Sequence, residues 1–166
     1  MKETTKRTIL GILILINCAT IFMFSNQIAD DSTVTSSRVV NFISEIIPAI
    51  KNMQEPDKTI LKEQILTPIV RKCAHFSIYT MLGMLTISFA QTLKNKKQYQ
   101  LIIYSLLFCI FYASTDEFHQ YFIPGRSAEI RDVLIDSLGA LTGILLIVLI
   151  RKIIKKIRKE SIWTKK

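Results

Sequence analysis

Four apolar runs limit what this chain can become more than any other feature. They lie at about 8–25, 68–93, 98–117 and 128–150. Each is near the ~17–25 residues that a helix needs to cross the hydrocarbon core of a bilayer. Backbone groups inside lipid must be satisfied within their own segment, and helices do this. The expected fold is therefore all-α: a polytopic membrane protein with four transmembrane helices, a single domain over residues 1–166, and an external amphipathic helical segment after the first span. Lys2, Lys6 and Arg7 precede the first run as they would in a signal peptide, but no A-x-A-like cleavage site follows it. An uncleaved signal anchor is the expectation.

Residues 26–67 form the one long piece outside the spans. Val39, Val40, Ile43, Ile46, Ile47 and Ile50 recur at helical spacing. Pro48 should end that helix, and Pro56 suits the first turn of a second short one carrying Ile60, Leu61, Ile65 and Leu66. Both should lie on the bilayer surface or cap the bundle. Thr67 before Pro68 reads as the N-cap of the second span, and Ser127 as the N-cap of the fourth. Asn95 to Lys97 is a short basic turn, and residues 151–166 form a basic tail.

Charge then orients the spans. Of the 22 lysines and arginines, fourteen fall in the N-terminus, the turn near Asn95 and the tail. Eleven of the 13 acidic residues fall on the opposite side, counting Asp132 and Asp136. The positive-inside rule places both termini in the cytoplasm and the chain in the cell membrane. The cysteines, Cys18, Cys73 and Cys109, are odd in number and sit in apolar runs, so they read as small buried hydrophobes. The basic balance brings no nucleic-acid reading motif with it, and a nucleic-acid partner is not expected.

Three polar sets interrupt the apolar runs at one depth. The second span enters with Arg71, Lys72 and His75. The third leaves with Asp116, Glu117, His119 and Gln120. The fourth re-enters with Arg126, Arg131, Asp132 and Asp136. At ~1.5 Å rise per residue, His75 and Asp136 lie roughly 10 Å inside their helix starts. A lone charge there costs about 2.5–3.5 kcal/mol on insertion scales, so pairing is expected, with Arg71 and Arg126 opposite Glu117, Asp132 and Asp136. Arg71, His75, Tyr79 and Gly83 are four apart and share a helix face; Asp132, Asp136, Gly139 and Gly143 share another. Gly139-x-x-x-Gly143 is a pattern for close helix packing in lipid.

Residues 71–83, RKCAHFSIYTMLG, and 114–143, STDEFHQYFIPGRSAEIRDVLIDSLGALTG, resemble the two signature blocks of VanZ-like membrane proteins. Residues 24–37, FSNQIADDSTVTSS, resemble that family's stretch after the first span. The resemblance covers about residues 5–150. It implies a polar set at Arg71, Lys72, His75, Tyr79, Asp116, Glu117, Gln120, Arg126, Asp132 and Asp136; many of the family's members carry Asn at the last of these. The family takes its name from a member associated with low-level resistance to teicoplanin, a lipoglycopeptide antibiotic.

Three functions are compatible with these residues. In the first, an outer-leaflet pocket binds an anionic head group of a membrane lipid or lipid-linked cell-wall precursor through Arg71, Lys72 and Arg126. In the second, an enzyme modifies a lipid head group or a lipid-carried sugar, with His75 or His119 as base and Glu117 as acid. In the third, the charges only lock helices together in an envelope scaffold. His75, His119, Glu117 and Asp132 are metal-ligand types, but H-E-x-x-H and paired cysteines are lacking and arginines stand nearby; no metal or other cofactor is expected.

Overall fold

A computed structural model describes residues 2–27, 29–93, 96–126 and 128–163, with the backbone alone at 29–32 and 160–163. Every regular element among them is helical. In chain order they are α1 (Glu3–Ser25), α2 (Ala29–Ile46), the single turn α3 (Pro48–Lys51), α4 (Asp57–Ile60), a π-helical turn (Leu61–Leu66), α5 (Thr67–Ala90), α6 (Gln98–Gln120) and α7 (Ile130–Trp163). Four helices are long and apolar enough to cross a membrane: Glu3–Ser25, Asp57–Ala90, Gln98–Gln120 and Ile130–Lys159. Large apolar side chains such as Leu15, Met23, Phe111 and Leu134 point outward, where a bilayer supplies the solvent they suit.

The second span begins earlier than the sequence suggests. Thr67 is not an N-cap, because α4, the π turn and α5 run on without a break. Pro68 cannot donate to the ladder, and its ring crowds the preceding turn. A π turn widens the helix at that point. The Thr67 N–H reaches back to the Lys62 carbonyl, and its hydroxyl donates to the same oxygen at 2.8 Å. Pro48 does stop α2, and it opens α3 at a position where its missing N–H is harmless. The expected N-cap Ser127, and Asn95 of the basic turn, lie outside the described residues.

Partner numbers give the helix directions. Along α5 and α7, Lys72 meets Asp132, His75 meets Asp136, and Phe76 and Thr80 meet Gly139 and Gly143. Both numbers rise together, so the two helices are parallel. Along α1 and α5, Arg7 meets Thr92 and Gly11 meets Phe89, while Ile21 shares a cavity with Ile78; these two are antiparallel. Tyr112 of α6 donates to the Cys18 carbonyl of α1 at 2.7 Å, and Ser25 bonds Asp116 one to two turns on. One end of the bundle thus gathers the end of α1, the start of α5, the end of α6 and the start of α7.

Glycine lets α5 and α7 approach. A Cβ on Gly139 would stand 2.5 Å from the Phe76 carbonyl oxygen, and Cβ atoms on Gly83 and Gly143 would overlap the carbonyls of Ala140 and Thr80. The buried core beside this seam is Ile21, Tyr79, Leu82, Cys109, Ala113 and Ala140. The segment α2 packs on α5 and the π turn. Its inward side is Ser36, Val40 and Ser44, and Val39, Phe42 and Ile46 face out. Of the apolar set expected at helical spacing, Val40 is buried against the bundle, while Val39, Ile46 and Ile47 are exposed.

Candidate functional site

The gathered end of the bundle holds a polar cavity of about 70 Å³. Arg71, Lys72 and His75 line it from α5, Gln120 from α6, Gly125 and Arg126 from the turn, Glu129 from just before α7, and Asp132 and Asp136 from its start. The turn is built for this. The Arg126 N–H donates to the Ile123 carbonyl at 3.1 Å, and Gly125 has φ 75°. Proline followed by a left-handed glycine is the pattern of a type II turn, and it throws Arg126 back over the helix ends.

Gln120 ties the site together. Its amide nitrogen donates to Asp116 Oδ2 and Glu117 Oε1, both at 3.2 Å, and its oxygen accepts from Arg126 Nη1 at 2.9 Å. An amide both donates and accepts, so Gln120 can join the guanidinium on one side to the carboxylates on the other. Arg126 Nη2 continues to the Phe24 carbonyl at 3.2 Å. Burial, and after it the neighbouring Arg71 charge, pull the Arg126 guanidinium below its ordinary pKa.

The expected pairing is corrected here. Neither Arg71 nor Arg126 forms an ion pair with a described carboxylate. Lys72 takes that role, 2.7 Å from Asp132 and 4.0 Å from Glu129. An ammonium on a flexible stem, one position from Arg71, faces α7, while Arg71 lies where the polar cavity meets its neighbour. Glu117 is also committed elsewhere: its second oxygen accepts the Glu129 N–H at 3.1 Å, joining α6 to the approach of α7. It lines neither cavity at this end. His119 stacks on Phe22, ring centroids 4.7 Å apart, and likewise lines neither. These placements remove the expected acid Glu117 and the alternative base His119 from the cavity wall.

His75 is placed otherwise. It lines the cavity, with Nδ1 3.7 Å from Asp136 Oδ2. Asp136 is 0% exposed, and both its oxygens and His75 Nδ1 lack a hydrogen-bond partner. One ligand atom each from His75, Asp116 and Asp136 lie within 4.8 Å of one another, a set that could hold a metal ion. Tyr79, one turn deeper, is fully buried with its hydroxyl unpartnered.

A second, mainly apolar cavity of about 180 Å³ adjoins the first. Ile21, Phe24, Ala74 and Ile78 supply its greasy wall, and Arg71, His75 and Arg126 belong to both cavities. The sequence reading missed Ser25, whose hydroxyl donates to Asp116 Oδ2 at 2.8 Å, and Glu129. The signal for Ser25 was its place in the 24–37 stretch, where a first apolar run gives way to polar residues.

No curated protein and no solved structure matches the chain. The family model described as VanZ/LLP1 matches residues 10–151, which take in all four spans and every residue of the site. The chain belongs to the VanZ/LLP1 family.

Proposed function

We propose that this protein binds an anionic amphiphile of the cell envelope, a lipid or lipid-linked precursor, with its head group in the polar cavity and its chain in the apolar one. The observation that carries this is the wall common to both cavities. Arg71 and Arg126 both stand there, and neither forms an ion pair with a carboxylate among the described residues. Two guanidiniums so placed repel each other, and a phosphate-like group relieves both at once. The adjoining apolar cavity supports a ligand that carries a hydrocarbon chain. By the distribution of basic residues, the termini face the cytoplasm and the cavity opens to the outer leaflet. Removing such a precursor from the reach of an antibiotic would account for resistance of the teicoplanin type, which we propose as the cellular role.

The test is the lipid that stays with the purified protein, identified by mass spectrometry, beside susceptibility to a lipoglycopeptide. Wild type should retain an anionic species. Arg71→Lys and Arg126→Lys keep charge but lose the planar fork, and should lower retention about tenfold at normal abundance. Unchanged retention and susceptibility in Arg71→Ala and Arg126→Ala would remove both arginines from the site.

A further inference from the structure

We infer that His75, Asp116 and Asp136 form a binding site for one divalent transition-metal ion of the zinc or manganese kind, at the floor of the polar cavity. The argument is independent of the lipid reading. Three helices each bring one ligand to this point, His75 from α5, Asp116 from α6 and Asp136 from α7. The sequence lacks a local metal motif because the three are far apart in the chain. Only the bundle assembles them, which is why the sequence alone points to no metal.

Asp136 supplies the second observation. Its carboxylate is fully buried, aimed into the cluster, and receives no hydrogen bond on either oxygen. His75 Nδ1 is also buried and unpartnered, 3.7 Å away. That is too long for a hydrogen bond. Ligands of a common ion at ~2.1 Å bond length stand roughly 3–3.5 Å apart, so small side-chain movements would close the set. Asp116 is already oriented: Ser25 and Gln120 both donate to Oδ2, and Oδ1 receives no hydrogen bond from the described residues. Donors of this kind, holding one oxygen so that the other can ligate, are typical support for a metal carboxylate.

Charge points the same way. Lys72 is engaged with Asp132 and Glu129, Arg126 donates to Gln120 and the Phe24 carbonyl, and among the described residues no lysine or arginine forms an ion pair with Asp116 or Asp136. Two buried carboxylates and a neutral imidazole need two positive charges, and one divalent ion supplies both. The imidazole suits zinc, and the two carboxylates suit manganese as well. His75 and Asp136 line the cavity, so the open coordination position faces the space where the arginines stand. A phosphate or carboxylate oxygen would fit there.

The experiment is metal analysis of the full chain purified in detergent without chelator, then stripped with EDTA and dialysed against Zn²⁺ or Mn²⁺. About one ion per chain should be taken up, and it should raise the unfolding temperature. His75→Ala and Asp116→Asn should lose the ion and the thermal shift. His119→Ala, the other histidine, should keep both. The stripping and reloading of wild type needs no variant to fold. A wild-type chain that takes up neither ion would overturn the site, leaving His75 and Asp136 as a pair that shares a proton. So would uptake that survives His75→Ala, or that vanishes with His119→Ala. Lipid retention is read on stripped and loaded protein alike. Ion uptake without a retained lipid sinks the amphiphile reading alone; a retained lipid on a chain that binds no ion sinks the metal site alone.

Discussion

At the scale of the residue, Gln120 decides how the polar end holds together. It is buried and stands between a guanidinium and two carboxylates that would otherwise face unlike or repelling neighbours. Gln120→Ala removes one bond from each of three groups, while Asp116 keeps Ser25, Glu117 the Glu129 N–H and Arg126 the Phe24 carbonyl, and each lost bond costs about 0.5–1.5 kcal/mol. Ser25→Ala is milder, because Asp116 keeps the Gln120 donor. Thermal unfolding in detergent should show Gln120→Ala losing about 2–3 kcal/mol and Ser25→Ala about 1 kcal/mol. Equal losses would mean that the network is not centred on Gln120. The residue types of this site were legible in the sequence, since ionisable groups at one depth in three spans rarely lack partners. Their partners were not. Arg71 and Lys72 are adjacent, and a rotation of about 100° between them decides which meets Asp132; no pattern of types fixes that.

At the scale of the element, the α5–α7 seam sets the distance across which Lys72 meets Asp132 and His75 meets Asp136. The seam is close because Gly83, Gly139 and Gly143 leave room for a facing backbone. Without a hydrophobic drive between helices in lipid, such backbone contact is what holds a pair together. Gly143→Ala puts a methyl group onto the Thr80 carbonyl, which belongs to backbone and cannot swing away. Overpacking of this kind costs about 1–3 kcal/mol. Gly11→Ala meets only the Phe89 ring at 4.0 Å and should be neutral. Comparing the folded fraction of the two variants across a denaturant titration checks this; a harmless Gly143→Ala would show that the seam is looser than the geometry requires. The Gly139-x-x-x-Gly143 spacing foretold the seam, and the length of the apolar runs foretold the spans. The start of the second span was hidden, because Pro68 reads as a beginning unless the widened turn before it is known.

At the scale of the whole molecule, parallel and antiparallel pairings bring three polar helix ends and the close of α1 to one pole, and leave the basic tail at the other. Geometry fixes that the poles differ; charge proposes which one is outside. The pole with α1's start, the end of α5 and α7's tail carries the excess of lysine and arginine, so it should stay with the cytoplasm. Asp57, at the start of the second span, marks the opposite pole, and Lys96 marks the turn before α6. With Cys18, Cys73 and Cys109 replaced by serine, single cysteines at 57 and 96 separate the two sides. A membrane-impermeant thiol reagent applied to intact cells should label position 57, and position 96 only after lysis. The reverse pattern would place the arginine-lined cavity on the cytoplasmic leaflet. An extracellular antibiotic and its lipid-linked target would then be out of the cavity's reach, and the ligand would have to be sought among lipids of the inner leaflet.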